Sequence, residues 1–141
     1  MRKTDNGIQI FCPLRKKWFM KTPEEWVRQH SILFLHSKYK YPLINMVAEF
    51  PVKINRSQQR VDVMVYKGDK PFILCECKEP GVEINQTVLD QAMRYAQVLE
   101  THFIYLTNGL QHVYARIDFN KQQVEIIKDL PDYYYKSDVS L

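Results

Sequence analysis

Arg60-Val61-Asp62-Val63-Met64-Val65-Tyr66-Lys67-Gly68-Asp69-Lys70-Pro71-Phe72-Ile73-Leu74-Cys75-Glu76-Cys77-Lys78 is the stretch on which the fold turns. Two apolar runs, residues 61–66 and 71–78, flank the turn signal Lys67-Gly68-Asp69-Lys70, so the stretch reads as a β-hairpin. Residues two apart on a strand share a face, so Glu76 and Lys78 project together and Cys77 points the other way. Asp62 lies on the partner strand, where the hairpin can bring it opposite the far end of the second. A lone carboxylate among valines costs on the order of several kcal/mol unless something neutralises it. Two carboxylates converging with one ammonium suit a divalent cation: hard oxygen donors from Asp62 and Glu76, a nearby backbone carbonyl, and open positions for water and phosphate.

On the N-terminal side, Asn55-Arg56-Ser57-Gln58-Gln59 reads as a polar loop, with Arg56 and Arg60 either phosphate contacts or ordinary solvated cations. Residues 44–54 alternate, placing Met46, Ala48, Phe50, Val52 and Ile54 on one face and Val47, Glu49, Pro51 and Lys53 on the other. Pro51 puts that strand at an edge or an interruption. Glu49 either joins the carboxylates across the sheet or stays solvated. Further upstream, Thr22 at the N-cap, Pro23 at N1 and Glu25 three residues on form a capping box. The spacing predicts a helix that turns Trp26, Val27, His30, Leu33 and Phe34 inward and ends before Tyr41-Pro42. Residues 8–11 and 18–20 are strand-like pieces around Arg15-Lys16-Lys17, a basic cluster that meets a phosphate backbone or sits in a solvated turn.

On the C-terminal side, Pro80-Gly81 closes the hairpin, and a helix is predicted from Asn85 or Thr87 with Val88, Leu89, Ala92, Ala96 and Leu99 packed. Gln91 and Tyr95, four apart, share its flank. They either hydrogen-bond phosphate or the attacking water beside the Glu76–Lys78 strand, or are two polar residues on an ordinary helix flank. Residues 103–106 read as an inner strand, reached from the Glu76 strand by a right-handed parallel crossover. Asn108-Gly109 and Asn120-Lys121 turn the chain into a closing hairpin. Tyr133-Tyr134-Tyr135 cover a sheet edge or stack on a base. The order gives an α/β sandwich with a central mixed β-sheet flanked by helices, one domain over residues 1–141.

The 141 residues suit one domain, and 45% apolar with 26% charged residues are those of a soluble globular protein. A net charge of +4 permits an anionic partner without requiring one. Cys75 and Cys77 share a strand face and read as buried thiols; a zinc site lacks a second ligand pair, and three cysteines make no disulfide framework. No apolar run reaches the roughly 20 residues of a membrane span and no signal peptide is evident, so a cytoplasmic protein with no membrane partner is expected. A Gly-x-x-x-x-Gly-Lys-Ser/Thr run is absent, and with it the expectation of ATP binding through a P-loop.

Asp62, thirteen residues, then Glu76-Cys77-Lys78 resembles the Asp…Glu-x-Lys signature of the PD-(D/E)xK nucleases. Gln91-Ala92-Met93-Arg94-Tyr95 resembles the Gln-x-x-x-Tyr element of restriction-type members. Thr22-Pro23-Glu24-Glu25-Trp26-Val27-Arg28-Gln29 and Thr107-Asn108-Gly109 are similar to the N-terminal nuclease domain of type I restriction enzyme R subunits. The likeness runs over about residues 13–128, with Val61 in place of the nominal proline. It implies a restriction-endonuclease-like fold and a metal-dependent DNA endonuclease without the ATP-dependent translocase of a full R subunit. It further implies that Asp62, Glu76 and the backbone carbonyl of Cys77 hold Mg²⁺ or Mn²⁺. Lys78 then orients the attacking water or steadies the pentacovalent charge, and Gln91 and Tyr95 position the strand. Some members carry an active-site glutamate on the first helix; Glu25 takes that place, or is accounted for by the capping box alone. DNA is the expected partner, contacted through Arg15, Lys16, Lys17, Arg56 and Arg60, with other restriction-system subunits or a second copy of the chain besides. The alternative is a non-cleaving nucleic-acid-binding or partner-binding module on the same fold, with Asp62 and Lys78 in a structural ion pair.

Overall fold

The computed structural model of the chain describes residues 1–135. The central stretch folds as a hairpin of β5 (Ser57–Lys67) and β6 (Lys70–Cys77), turning at Gly68, whose φ of +66° is where a side chain would be strained. Before it come β1 (Arg2–Thr4), β2 (Gly7–Cys12), β3 (Lys17–Met20), α1 (Pro23–Ser37), a single 3₁₀ turn (Leu43–Asn45) and β4 (Met46–Ile54). After it come α2 (Gln86–Leu99), β7 (Phe103–Thr107), β8 (His112–Asp118) and β9 (Gln123–Ile127).

Strands β4 to β9 form one sheet in chain order. Neighbours are antiparallel except β6 and β7, which α2 joins in parallel. β1–β3 form a separate antiparallel sheet. The core has two parts, one on each face of the large sheet. Val27, Ile32 and Leu35 of α1 pack with Val63, Val65, Ile73 and Cys75, and Phe19 of the small sheet joins them. Leu89, Ala92 and Ala96 of α2 pack on the opposite face against Met64, Leu74 and Ile104. The expected mixed sheet flanked by helices is therefore the observed architecture, with β4 at an edge, where Pro51 is tolerated. No helix among the described residues is long and apolar enough to cross a membrane.

Local features depart from the expected pattern in three places. The polar loop at 55–59 shrinks to a turn, because Ser57, Gln58 and Gln59 pair with Ile54, Lys53 and Val52. In β4 the alternation is interrupted at Glu49, which sits at φ +54° and drops out of the ladder between Ala48↔Val63 and Phe50↔Val61. As a result Met46 packs on the α1 side while Phe50, Val52 and Ile54 pack on the α2 side, so the strand has no single buried face. Third, α1 buries Glu25, Val27, Arg28, Gln29, Ser31, Ile32 and Leu35, whereas His30 is exposed and Leu33 is 55% exposed.

The reason for the rotated helix face is mutual satisfaction of its polar residues. Thr22 caps α1 as expected, its hydroxyl accepting the Glu25 N–H at 3.1 Å. The Glu25 carboxylate, however, does not return to the helix end. It accepts from the Arg15 guanidinium and from Gln29 Nε2 at 2.9 Å, and Arg28 Nε lies 3.6 Å away. Polar side chains with partners can be buried, and a count of apolar residues cannot see it.

Arg28→Ala should therefore destabilise the protein by about 3–5 kcal/mol, since it strands buried carboxylates. Leu33→Ala on the same helix should stay within about 0.5 kcal/mol of wild type. Urea unfolding of both variants checks the assignment of the faces.

Candidate active site

The β5–β6 ladder stops at Val63↔Cys75. One position further, Asp62 would face Glu76, but the strands part there, and Asp62 Oδ2 accepts the Cys77 N–H at 2.7 Å. A side-chain oxygen thus takes the place of the carbonyl that β5 no longer offers. The other edge of β6 stays zipped: Cys77 pairs with Thr107, and the Lys78 N–H donates to the Thr107 carbonyl at 2.9 Å. The two carboxylates stand in the gap between a fixed strand and a departing one.

Glu76 emerges on the α2 face, and its Oε1 is sealed from solvent with no hydrogen-bond partner among the described residues. Burial, and next the adjacent charge of Asp62, push its carboxyl well above the usual carboxylate range. The cation beside Asp62 is Arg28, with Nη2 3.6 Å from Oδ1 and Nη1 donating to the Asp62 carbonyl at 3.4 Å. Among the described residues Lys78 forms no ion pair within 4.0 Å, so the structural Asp62–Lys78 pair of the alternative reading is replaced by Asp62–Arg28. The ammonium of Lys78 still acts on Glu76, and on Glu24, whose carboxyl is raised by burial and then by Asp62. Of the first-helix carboxylates, Glu24 faces this charge cluster while Glu25 serves Arg15, Gln29 and Arg28. Neither Glu24 nor Arg28 was singled out by the sequence pattern; their i,i+4 spacing was the available signal.

From α2, Gln91 Nε2 donates to the Tyr95 hydroxyl at 2.9 Å. Burial, then the charge of Glu76, raise the Tyr95 hydroxyl above its ordinary range, so this pair borders the carboxylates. Between the β4–β5 turn and α2 lies a cleft of about 640 Å³ bounded by Asn55, Arg56, Gln59, Gln91, Arg94 and Tyr95. Arg94 is a second cation there that the sequence reading passed over.

The basic candidates separate. Arg15 is consumed inside the fold: its guanidinium pairs with Glu25, sits 3.5 Å from Glu49, donates to Cys12 Sγ at 3.3 Å and stacks 3.5 Å over Phe19. It is an internal cation, contrary to the expected phosphate contact. Lys16 and Lys17 are exposed, as are Arg56 and Arg60, the latter 3.8 Å from Glu49. Glu49 thus gathers arginines and does not join the carboxylate pair. Cys75 and Cys77 are buried thiols on the α1 face, their sulfurs 3.9 Å apart.

No three His, Cys, Asp or Glu side chains gather into a metal-binding group among the described residues. The donor set is two carboxylates, with an orphaned buried oxygen on one of them. That set fits a hard cation that keeps several waters, and not zinc.

A family model described as the type I restriction enzyme R protein N terminus matches residues 23–131, well over half of the chain. No curated protein matches the sequence. Among solved structures, a DUF820 protein from Anabaena variabilis ATCC 29413, whose nuclease assignment is provisional, aligns at 12% identity with a TM-score of 0.49. That alignment covers 92% of this chain and 80% of the other. At that score the likeness carries no weight.

Because folding raises the affinity of Glu76 for its proton, stability from this residue is full below the ordinary glutamate range and is lost as pH rises through the raised value. Glu76→Gln should therefore raise the melting temperature of the metal-free protein near neutral pH, by roughly 3–5 °C. It should also flatten the decline above the ordinary glutamate range. Thermal melts across pH in chelator measure both.

Proposed function

The chain belongs to the type I restriction enzyme R protein N-terminus family, and from that premise we propose that it is a metal-dependent DNA endonuclease. The observation that carries the proposal is the convergence of Asp62 and Glu76 in the gap of the sheet, with a buried Glu76 oxygen that has no hydrogen-bond partner, and a Lys78 that has no ion-pair partner, among the described residues. A purely structural role leaves that second buried carboxyl without a purpose.

Asp62, Glu76 and the Cys77 carbonyl would hold Mg²⁺ or Mn²⁺. Bound there, such an ion supplies Lewis acidity toward the scissile phosphate and a bound water of lowered pKa. The chain's own residues do the rest. The Cys77 N–H and Arg28 keep the Asp62 carboxylate in one orientation, so its oxygens are pre-aimed. Lys78 donates hydrogen bonds to the attacking water or to the pentacovalent phosphate as charge builds. Gln91 and Tyr95 hydrogen-bond the strand at the mouth of the site. Arg56 and Arg94 line the adjoining cleft and would neutralise its phosphates, with Arg60, Lys16 and Lys17 further out. Glu25 acts at one remove, holding the arginine that holds Asp62. On this reading the partner is DNA in the cytoplasm, with further restriction-system subunits or a second copy of the chain able to share the work.

Purified protein should nick supercoiled plasmid with Mg²⁺ or Mn²⁺ and not with chelator. Lys78→Ala should lower turnover roughly 10²–10³-fold, with a melting temperature within about 2 °C of wild type, since no ion pair is lost. Calorimetric titration of Asp62→Asn with Mn²⁺ should show strongly weakened binding. Wild type that binds DNA but leaves plasmid, linear duplex and single strands intact with either ion would favour the non-cleaving module.

A further inference from the structure

In the small sheet, Phe11 lies directly opposite Trp18, and Gln9 lies between Met20 on one side and Arg2 on the other. These residues share the outer face, because Cys12 and Phe19, at the alternate positions, pack into the core. An antiparallel sheet with one face on the core ordinarily turns polar residues to water on the other. Here Phe11, Trp18 and Met20 remain 42%, 37% and 43% exposed. The two rings meet edge-to-face with centroids 5.4 Å apart. Arg2 lies 4.2 Å over the Trp18 ring and is held there by donating to Gln9 Oε1 at 2.7 Å.

Charge says what would cover this face. With Arg15 set aside, since it pairs with Glu25 inside the fold, residues 1–21 contain five basic residues and one acidic, a net +4, equal to the net charge of the whole chain. The chain's entire excess of positive charge thus belongs to the segment that displays the rings, and Lys16 and Lys17 stand exposed at the β2–β3 turn beside them. Aromatic faces with an ordered guanidinium and flanking lysines suit a polyanion whose flat apolar groups are accessible. Unpaired bases on a phosphate backbone have that chemistry; a duplex hides its base faces, and an acidic peptide offers no rings to stack.

We propose that the β1–β3 sheet is a binding platform for single-stranded nucleic acid, with Trp18 and Phe11 stacking bases and Arg2 and the turn residue Lys16 contacting the backbone. It is separate from the Asp62–Glu76 site and stands whether or not that site cleaves. Fluorescence anisotropy with the whole chain, in chelator, tests it against a labelled thymidine oligomer of about 20 nucleotides and a duplex of the same length. Trp18→Ala should weaken single-strand binding about tenfold and duplex binding less than about twofold. Lys16→Ala should reduce the slope of log affinity against log salt by about 1. As a check that needs no variant, photocrosslinking of wild type to a 4-thiothymidine oligomer should label the peptide containing Trp18 or Phe11. Absence of oligomer binding, equal loss on both DNA forms, or crosslinks confined to the α2 cleft would overturn the proposal. So would a self-associated protein that Trp18→Ala renders monomeric and that binds no oligomer.

Discussion

One hydrogen bond, from the Cys77 N–H to the Asp62 carboxylate, governs the centre of this molecule. Where β5 leaves β6, a buried amide would lose its partner, at a cost of about 1–3 kcal/mol. Asp62 meets that need while it stays beside Glu76, the residue that the register sets opposite it. A closed ladder would also set Asp62 opposite Glu76 on one face; what the break adds is that the Asp62 carboxylate turns to the Cys77 amide while it stays beside Glu76. The charge cluster sits at the break in the sheet. Its electrostatic cost is lowered by a proton on Glu76 or by a cation between the carboxylates.

The same carboxylate connects the sheet to the first helix. Arg28 reaches Asp62 with one end and Glu25 with the other, and Glu25 in turn holds Arg15. Arg15 comes from the turn that ends β2, so the small sheet, α1 and β5 are tied by a single run of alternating charges. Such a network is weak evidence for net stability, because each ion had to be desolvated. Its geometric effect is plainer. Apolar packing alone would tolerate rotation of α1 about its axis, whereas the arginines allow one orientation. That orientation turns Glu24 toward Asp62 and Lys78, and leaves His30 and Leu33 to solvent.

Glu49 and Asp62 show how the edge of the sheet shapes the cleft. They would be opposite one another, yet the ladder skips them, and Glu49 takes a left-handed backbone that costs about 1–2 kcal/mol for a residue with a Cβ. Past that point β4 and β5 present their apolar residues to α2 instead of α1. The β4–β5 turn is thereby carried over to α2, which places Arg56 across the cleft from Gln91, Arg94 and Tyr95.

Most of the architecture was legible in the chain itself, for a local reason. Period-two alternation, the Lys67–Lys70 turn, Thr22 with Pro23, and the start of α2 near Asn85 are each encoded within a few residues. Those signals suffice for the hairpin, both helices and the parallel crossover to β7. Side-chain pairings across the fold were not legible. Arg15 looked like a surface cation and is internal; Glu25 looked like half of a capping box and is an arginine partner. The buried side of α1 carries Glu25, Arg28 and Gln29, which no apolar pattern marks. Whether a polar residue is buried depends on a partner arriving from elsewhere in the chain, as Arg15 does for Glu25 and Arg28 for Asp62. Only tertiary structure brings those partners together, and so only it decided which charges hold the fold and which are left for the site.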